Sequence, residues 1–385
     1  MISRQIEGLL RSRLRAYPAV ALVGPRQSGK TTLAQAFGGH YFDLEQEPER
    51  LRLDLEWERI EQSQNLAILD EAQSWPEIFP RLRGAIDRDR KRMGRFMLLG
   101  SVAPSLMIRV SESLAGRLSL VELTPLLLVE LKRQREPRES LWLRGGYPDG
   151  GVLQSGRFPQ WQLDYLALLT QRDLPNWGLP AAPQTTHRLL QMIAAMHGQI
   201  WNASQIGQSL GLSYHTVNHY LDYLVGAFLI RRLPPFRPNI RKRLTKSPRV
   251  YWRDSGLLHA LLNVPDERSL LAQPWVGASW EGFIIEQAIG ALRNLGRRFD
   301  AYYFRTSDQY ELDLVLDLDE ARWAIEVKLT ASPRPDDMAR LDKAAEMIRA
   351  SRRYLVSRTS RSVGDDKRAS CNLGWLLDRI QSGAV

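Results

Sequence analysis

Cysteine is almost missing from this sequence. Cys371 is the only one in 385 residues. An intrachain disulfide and a zinc site built on cysteines are both excluded, and a reducing compartment fits. Long apolar runs are missing too. The longest, Leu123 to Val129, is interrupted by Thr124 and Pro125 and falls far short of the ~18 residues a membrane span needs. The opening Met-Ile-Ser-Arg-Gln-Ile-Glu-Gly has no charged n-region followed by an apolar stretch, so a secretory signal is not expected. These absences lead us to expect a cytoplasmic protein with no membrane partner. Neither an internal repeat nor a low-complexity tract is found, which argues against solenoids and disordered arms. Acid is in deficit: 43 Asp plus Glu face 53 Lys plus Arg, for a net charge of +10. That balance favours acidic partners, nucleic acid ahead of anionic membrane.

What is present is ordinary for a globular protein, with 44% hydrophobic and 25% charged residues. At about 150 residues per domain the chain has room for two or three domains, each with its own core. A leading helix is expected over residues 1–18. Strands, most of them apolar throughout, are expected at Ala19–Val23, His40–Leu44, Leu66–Leu69 and Arg95–Leu99, with helices at Lys30–Ala36, 45–64 and 76–91. Apolar strands alternating with helices predict a parallel sheet covered on both faces.

Gly24-Pro25-Arg26-Gln27-Ser28-Gly29-Lys30-Thr31, followed by Thr32, fits G-x-x-x-x-G-K-[ST]. The chemistry needs backbone N–H groups aimed at phosphate oxygens, so glycines sit at the bends where side chains would block the approach. Lys30 would reach the β- and γ-phosphates, and the Thr31 hydroxyl would ligate Mg2+. The apolar strand Leu66–Leu69 ends at Asp70, placed to hold Mg2+ through water, with Glu71 placed to polarise the attacking water. ATP and Mg2+ are the cofactors this pattern calls for. Ser101 closes the next strand, where a γ-phosphate sensor would sit. Arg117, beyond that strand, is a candidate arginine finger toward a neighbouring subunit, which would require a homo-oligomer.

Taken together, Gly-Pro-Arg-Gln-Ser-Gly-Lys-Thr-Thr, Leu-Asp-Glu-Ala-Gln-Ser-Trp-Pro, Leu-Leu-Gly-Ser and Ser-Leu-Ala-Gly-Arg resemble the prokaryotic AAA-type P-loop ATPases that carry a C-terminal domain of unknown function. Trp142-Leu143-Arg144-Gly145-Gly146-Tyr147-Pro148 and Arg172-Asp173-Leu174 resemble signatures of the same family. The resemblance spans nearly the whole chain. It implies ATP binding, a winged-helix segment and a nuclease-like tail. Ser101 departs from the Asn or Thr usual at the sensor position.

A helix is expected over 160–175. His187–His197 then has apolar residues at Leu189, Leu190, Ile193 and Met196, which is helical spacing. A short helix through Ile206 and Leu210 follows, then a Gly211-Leu212-Ser213 turn, then a helix over Tyr214–Val225 capped by Ser213. With strands at Phe228–Leu233 and Arg249–Trp252, this is a winged helix-turn-helix pattern. His215, Asn218 and His219 are polar candidates for base edges. Between 231 and 253 stand nine basic residues and no acid: Arg231, Arg232, Arg237, Arg241, Lys242, Arg243, Lys246, Arg249 and Arg253. Such density suits phosphate contact, so DNA is the expected partner. A winged helix that serves packing inside an ATPase is the alternative.

In the last segment a helix begins near Trp280, and strands are expected at Tyr302–Arg305, Glu311–Leu316 and Trp323–Lys328. A helical acid, a strand Asp and a Glu-x-Lys on the next strand resemble the PD-(D/E)xK nuclease core. Side chains alternate along a strand, so Glu326 and Lys328 share a face that Asp313 can meet. Glu281, with Glu286 as second choice, Asp313 and Glu326 would hold a divalent metal, and Lys328 would orient water. A fold that keeps these residues for structure or binding alone is the other reading.

The expected fold is α/β throughout: a P-loop NTPase parallel sheet, a winged helix-turn-helix and a restriction-endonuclease-like α/β domain. The expected divisions are an ATPase domain at 1–130, a helical linker or lid at 131–185, the winged helix at 186–255 and the nuclease-like domain at 256–385.

Overall fold

A computed structural model describes residues 2–101, 114–132, 134–237, 247–308, 310–319 and 321–383. The chain divides into two units. The first is Met1–Leu126 with Gly226–Phe228, and the second is Leu127–Val225 with Leu229–Val385.

The first unit alternates helices and strands: α1 (Glu7–Ala16), β1 (Ala19–Val23), α2 (Lys30–Gln35), β2 (His40–Asp43), α3 (Glu47–Gln62), β3 (Ala67–Asp70), α4 (Ile78–Arg88), β4 (Phe96–Gly100) and β5 (Leu118–Glu122). The strands form one parallel sheet in the order β2-β3-β4-β1-β5. Why β1 is apolar at every position is plain from its two faces. Ala19, Ala21 and Val23 pack with Leu53, Trp57 and Phe79 on one side, while Val20 and Leu22 pack with Ile6, Leu10 and Leu33 on the other. Period-two alternation sends successive side chains to opposite faces, and helices cover both. This parallel sheet flanked by helices is the α/β core of a P-loop NTPase.

The fifth strand departs from the sequence expectation, which stopped at four. β5 lies at the sheet edge and leaves Leu120 about half exposed, so it never shows the all-apolar signature of the inner strands. Arg117 consequently stands just ahead of β5.

The second unit opens with helices, including α5 (Arg135–Arg144) and α6 (Gln160–Leu168), where the expected helix gives way to a π-helical stretch over Leu169–Asp173. Then come α7 (Pro183–Ala195), α8 (Ala203–Leu210), α9 (Tyr214–Gly226) and the antiparallel pair β6 (Ile230–Leu233) and β7 (Arg249–Trp252). Asn202 caps α8 through the Gln205 N–H at 3.2 Å, and Ser213 caps α9 through the Thr216 N–H at 3.1 Å. After α10 (Ser255–Leu261) the long α11 (Val276–Asn294) leads into a mixed six-stranded sheet. Its strands are β8 (Phe299–Arg305), β9 (Glu311–Leu318), β10 (Arg322–Val327), β11 (Arg352–Val356), β12 (Val363–Gly364) and β13 (Arg368–Cys371), in the order β12-β13-β11-β10-β9-β8. Between β10 and β11 runs α12 (Pro335–Met347), whose Leu341, Ala344 and Ala345 pack on Val315, Ala324 and Leu355.

Among the described residues no helix is long and apolar enough to cross a membrane.

Candidate functional site

β1 ends at Gly24, whose backbone turns away with φ +155°; a Cβ there would meet the Leu123 carbonyl oxygen at 2.1 Å. Gly29, at φ +92°, adopts a left-handed conformation that favours glycine, and it opens α2. Between them lies the loop. Lys30 is buried and donates to the carbonyls of Gly24 at 3.0 Å and Pro25 at 2.9 Å. Burial lowers its ammonium to about 8, partly opposed by the carboxylates of Glu71 and Asp70. The Arg4 guanidinium braces the loop from outside, donating to the carbonyls of Ser28 at 2.9 Å and Thr124 at 2.7 Å.

Strand order sets the rest. β4 lies between β1 and β3, so the end of β4 stands between the loop after β1 and the acids after β3. The Thr31 hydroxyl donates to Asp70 Oδ2 at 2.6 Å, and the Tyr41 hydroxyl donates to the same oxygen at 2.8 Å. Glu71 has φ +47°, a left-handed backbone uncommon for a residue with a side chain. Its N–H donates to Asp70 Oδ1 at 2.9 Å. The Ser101 hydroxyl donates to Glu71 Oε1 at 2.8 Å, and Gln73 holds the other carboxylate oxygen. Lys30 neighbours both acids electrostatically, Asp70 bonds Thr31 and Glu71, and Ser101 bonds Glu71, so the five residues form one linked set.

The residues fit a nucleotide and its metal. Ser28 Oγ is fully buried with no hydrogen-bond partner, and the Gly29 Cβ position is nearly open. Lys30 is a buried cation held by neutral carbonyls, which suits phosphate. Thr31 and Asp70 supply the hard oxygen donors Mg2+ takes alongside phosphate and water. Of the other loop residues, Pro25 is buried, Gln27 and Thr32 are exposed, and Arg26 lies 3.7 Å from Glu45. Arg117 is held bidentately by Asp87 at 2.8 and 2.9 Å, and the two arginines Arg117 and Arg90 draw the Asp87 carboxyl down to about 2.

The second unit holds a different charged site. Glu281 on α11, Glu311 and Asp313 on β9, and Glu326 on β10 line a cleft of about 700 Å³ with Lys328. Arg249, on β7, reaches into the group. Its guanidinium lies 3.1 Å from Glu281 and 3.5 Å from Asp313, contacts Glu311, and stacks 5.1 Å from the Tyr303 ring centroid. Tyr251 donates to Glu281, the Val327 N–H donates to Asp313 Oδ2 at 2.9 Å, and Lys328 donates to Glu326 at 2.6 Å. Burial, followed by the charge of Asp313, raises the Glu281 and Glu326 carboxyls above their ordinary range; burial also raises Asp313. Lys328 lies just past the end of β10 and still turns to the same side as Glu326. Glu286 faces elsewhere, bonded by Arg231 at 2.8 Å and Arg253 at 3.2 Å.

Residues 16–132 match a family described as an AAA domain. Residues 135–268 and 276–375 match two domains of unknown function, DUF8612 and DUF4143. Over 335 residues the chain is 38% identical to uncharacterized protein Rv2008c of Mycobacterium tuberculosis, a match covering 86% of this chain and 74% of that protein. The chain belongs to that protein's family. Uncharacterized protein Mb2031c of Mycobacterium bovis matches with the same identity and coverage. Among solved structures, the Walker-type ATPase PABY2304 of Pyrococcus abyssi is 17% identical with a TM-score of 0.45, over 68% of this chain and 96% of that one. The AAA domain match and the phosphate-binding loop make this family member a P-loop ATPase of the AAA type.

Two expectations for the second unit meet a different geometry. The carboxylates of Glu281, Asp313 and Glu326 were expected to grip a metal. Among the described residues no group of three or more His, Cys, Asp or Glu is placed to hold one, and the Arg249 guanidinium stands among these acids. The run of basic residues was expected to face phosphate. Arg231 and Arg253 are instead buried against Glu286, Arg249 is buried in the acid cluster, and Arg232 pairs with Asp222 at 2.5 Å. Asn218 accepts from the Trp201 indole at 2.7 Å rather than standing free, while His215 and His219 are exposed. Arg241, Lys242, Arg243 and Lys246 lie outside the described residues.

The roles of Arg4, Tyr41, Arg249 and Glu311 were not anticipated. For Glu311 a signal existed: it stands two residues before Asp313 on one strand, hence on the same face.

Proposed function

We propose that this AAA-type protein hydrolyses ATP with Mg2+ and uses the cycle to act on DNA from the cytoplasm. The observation that carries the ATPase part is the linked set of Lys30, Thr31, Asp70, Glu71 and Ser101. Lys30 and the loop N–H groups bind the phosphates, Thr31 and Asp70 hold Mg2+, Glu71 orients water and Ser101 fixes Glu71. Mg2+, when bound, neutralises charge developing on the phosphate oxygens. For DNA, we read α7 to α9 with β6 and β7 as a winged helix, with Tyr214, His215 and His219 exposed along α9. We read the last 130 or so residues as a restriction-endonuclease-like domain. Arg117 would serve as a finger in trans by leaving Asp87 for a neighbouring copy's γ-phosphate.

A second reading has a specific observation in its favour. A nucleotide-dependent switch or regulator that cuts nothing fits the seating of Arg249 among the acids.

Hydrolysis by the full chain, with and without duplex, branched or single-stranded DNA, separates the two. DNA that stimulates turnover in wild type, with less stimulation in His215→Ala/His219→Ala, supports action on DNA. The nuclease arm is read on the same substrates with Mg2+ or Mn2+, comparing Asp313→Ala and Lys30→Ala. Turnover indifferent to every DNA, with no strand cut, supports the switch.

A further inference from the structure

The acid cluster of the second unit resolves into a chain of paired charges. Arg249 is on a buried strand, and its side chain is only 8% exposed. Its guanidinium is fixed from one side by the Tyr303 ring and from the other by three carboxylates. A guanidinium is planar, permanently charged and able to donate in several directions, so it can bridge carboxylates that would otherwise repel. Lys328 serves Glu326, and Arg305 lies 3.8 Å from Glu311. Four carboxylates thus face three cations.

A divalent ion would need several of these oxygens to itself at about 2.0 to 2.6 Å. Glu281 Oε1 already accepts from Arg249 and Tyr251, Asp313 Oδ2 from the Val327 N–H, and Glu326 Oε1 from Lys328. Among the described residues Glu326 Oε2 and Arg249 Nε are buried without a hydrogen-bond partner. A permanent cation of the chain already stands among the oxygens a divalent ion would need. The donors present therefore do not fit the metal that a PD-(D/E)xK core implies.

We propose that the Arg249 guanidinium takes the place of a divalent cation between Glu281, Glu311 and Asp313, so that these carboxylates are bridged from within the chain and bind no metal. This rests on reading the domain as restriction-endonuclease-like only for the comparison with a metal site. Its test uses neither DNA nor hydrolysis, so it fails or survives independently of the proposed function.

The test is Mn2+ binding to the full chain without nucleotide, followed by electron paramagnetic resonance. Wild type, Asp313→Asn, Arg249→Met and the Arg249→Met/Asp313→Asn pair are compared, with folding checked by circular dichroism. Binding at the P-loop is common to all four and cancels. Wild type and Asp313→Asn should bind alike. Arg249→Met should gain one Mn2+ equivalent, which the pair loses, and Mn2+ should raise the melting temperature of Arg249→Met alone. A wild-type equivalent that Asp313→Asn abolishes overturns the proposal, as does a folded Arg249→Met that gains nothing. Should Arg249→Met not fold, wild type against Asp313→Asn decides: no difference supports the proposal, and a lost equivalent overturns it.

Discussion

The phosphate-binding loop and the acid cluster invert one another. At the loop a buried cation, Lys30, is held by neutral carbonyls, and a serine hydroxyl is buried without a partner. At the cluster four carboxylates are met by Arg249, Lys328 and Arg305. The first site has polar groups left over and suits a charged ligand. The second already holds a guanidinium of the chain among its carboxylates, although Glu326 Oε2 and Arg249 Nε stay buried without partners. Both carry the residue types of a catalytic site, so residue type alone does not separate them. The difference lies in what already stands at the charged groups: neutral carbonyls at Lys30, a guanidinium at the acids.

The sharpest way to break the contrast is to remove the cation from the unsatisfied site. Lys30→Ala should take ATP hydrolysis, measured by phosphate release, below detection while the circular dichroism spectrum stays native. The converse experiment removes an acid from a satisfied pair. Glu286→Ala leaves Arg231 and Arg253 buried at 10% and 9% exposure without their carboxylate, and urea unfolding should show a loss of about 3–5 kcal/mol. Glu71→Gln should slow turnover about a hundredfold or more, with nucleotide binding by fluorescence titration retained. Ser101→Ala removes one bond to the Glu71 carboxylate and should cost about 1.5 kcal/mol in the barrier, roughly tenfold in turnover. The gentlest probe is pH. Lys30 in the free protein titrates at about 8, and bound phosphate would raise it. Binding then takes up a proton above pH 8, so affinity should be level below 8 and fall by up to about tenfold per unit above it. A flat profile to pH 9.5 would show that Lys30 keeps its charge without the nucleotide.

The sheet was legible where neighbours in sequence are neighbours in space. β1, β3 and β4 are buried at every position and read as near-continuous apolar runs. β5, half-exposed at the edge, did not. The loop and the acids after β3 were legible because strand end, glycines and Lys-Thr are contiguous. Arg4 was not, since its partners lie 24 and 120 residues away. Tyr41 meets Asp70 across 29 residues, between strands whose pairing the sequence does not announce. In the second unit the spacing of Glu326 and Lys328 was legible from strand alternation. Arg249 was misjudged for a physical reason: a run of basic residues looks like a solvated surface until burial shows which of them are counter-ions. The polar strands β11 to β13 were missed because Arg-Arg-Tyr-Leu-Val and Arg-Ala-Ser-Cys carry no clean alternation.

The most direct test of the contrast counts Mn2+ on the full chain with ATP present, by electron paramagnetic resonance, in wild type, Asp70→Asn and Asp313→Asn. One nucleotide-dependent equivalent, lost in Asp70→Asn and kept in Asp313→Asn, is the expected result. An equivalent that needs no nucleotide and vanishes with Asp313→Asn would contradict it, because the acid cluster would then be a metal site after all.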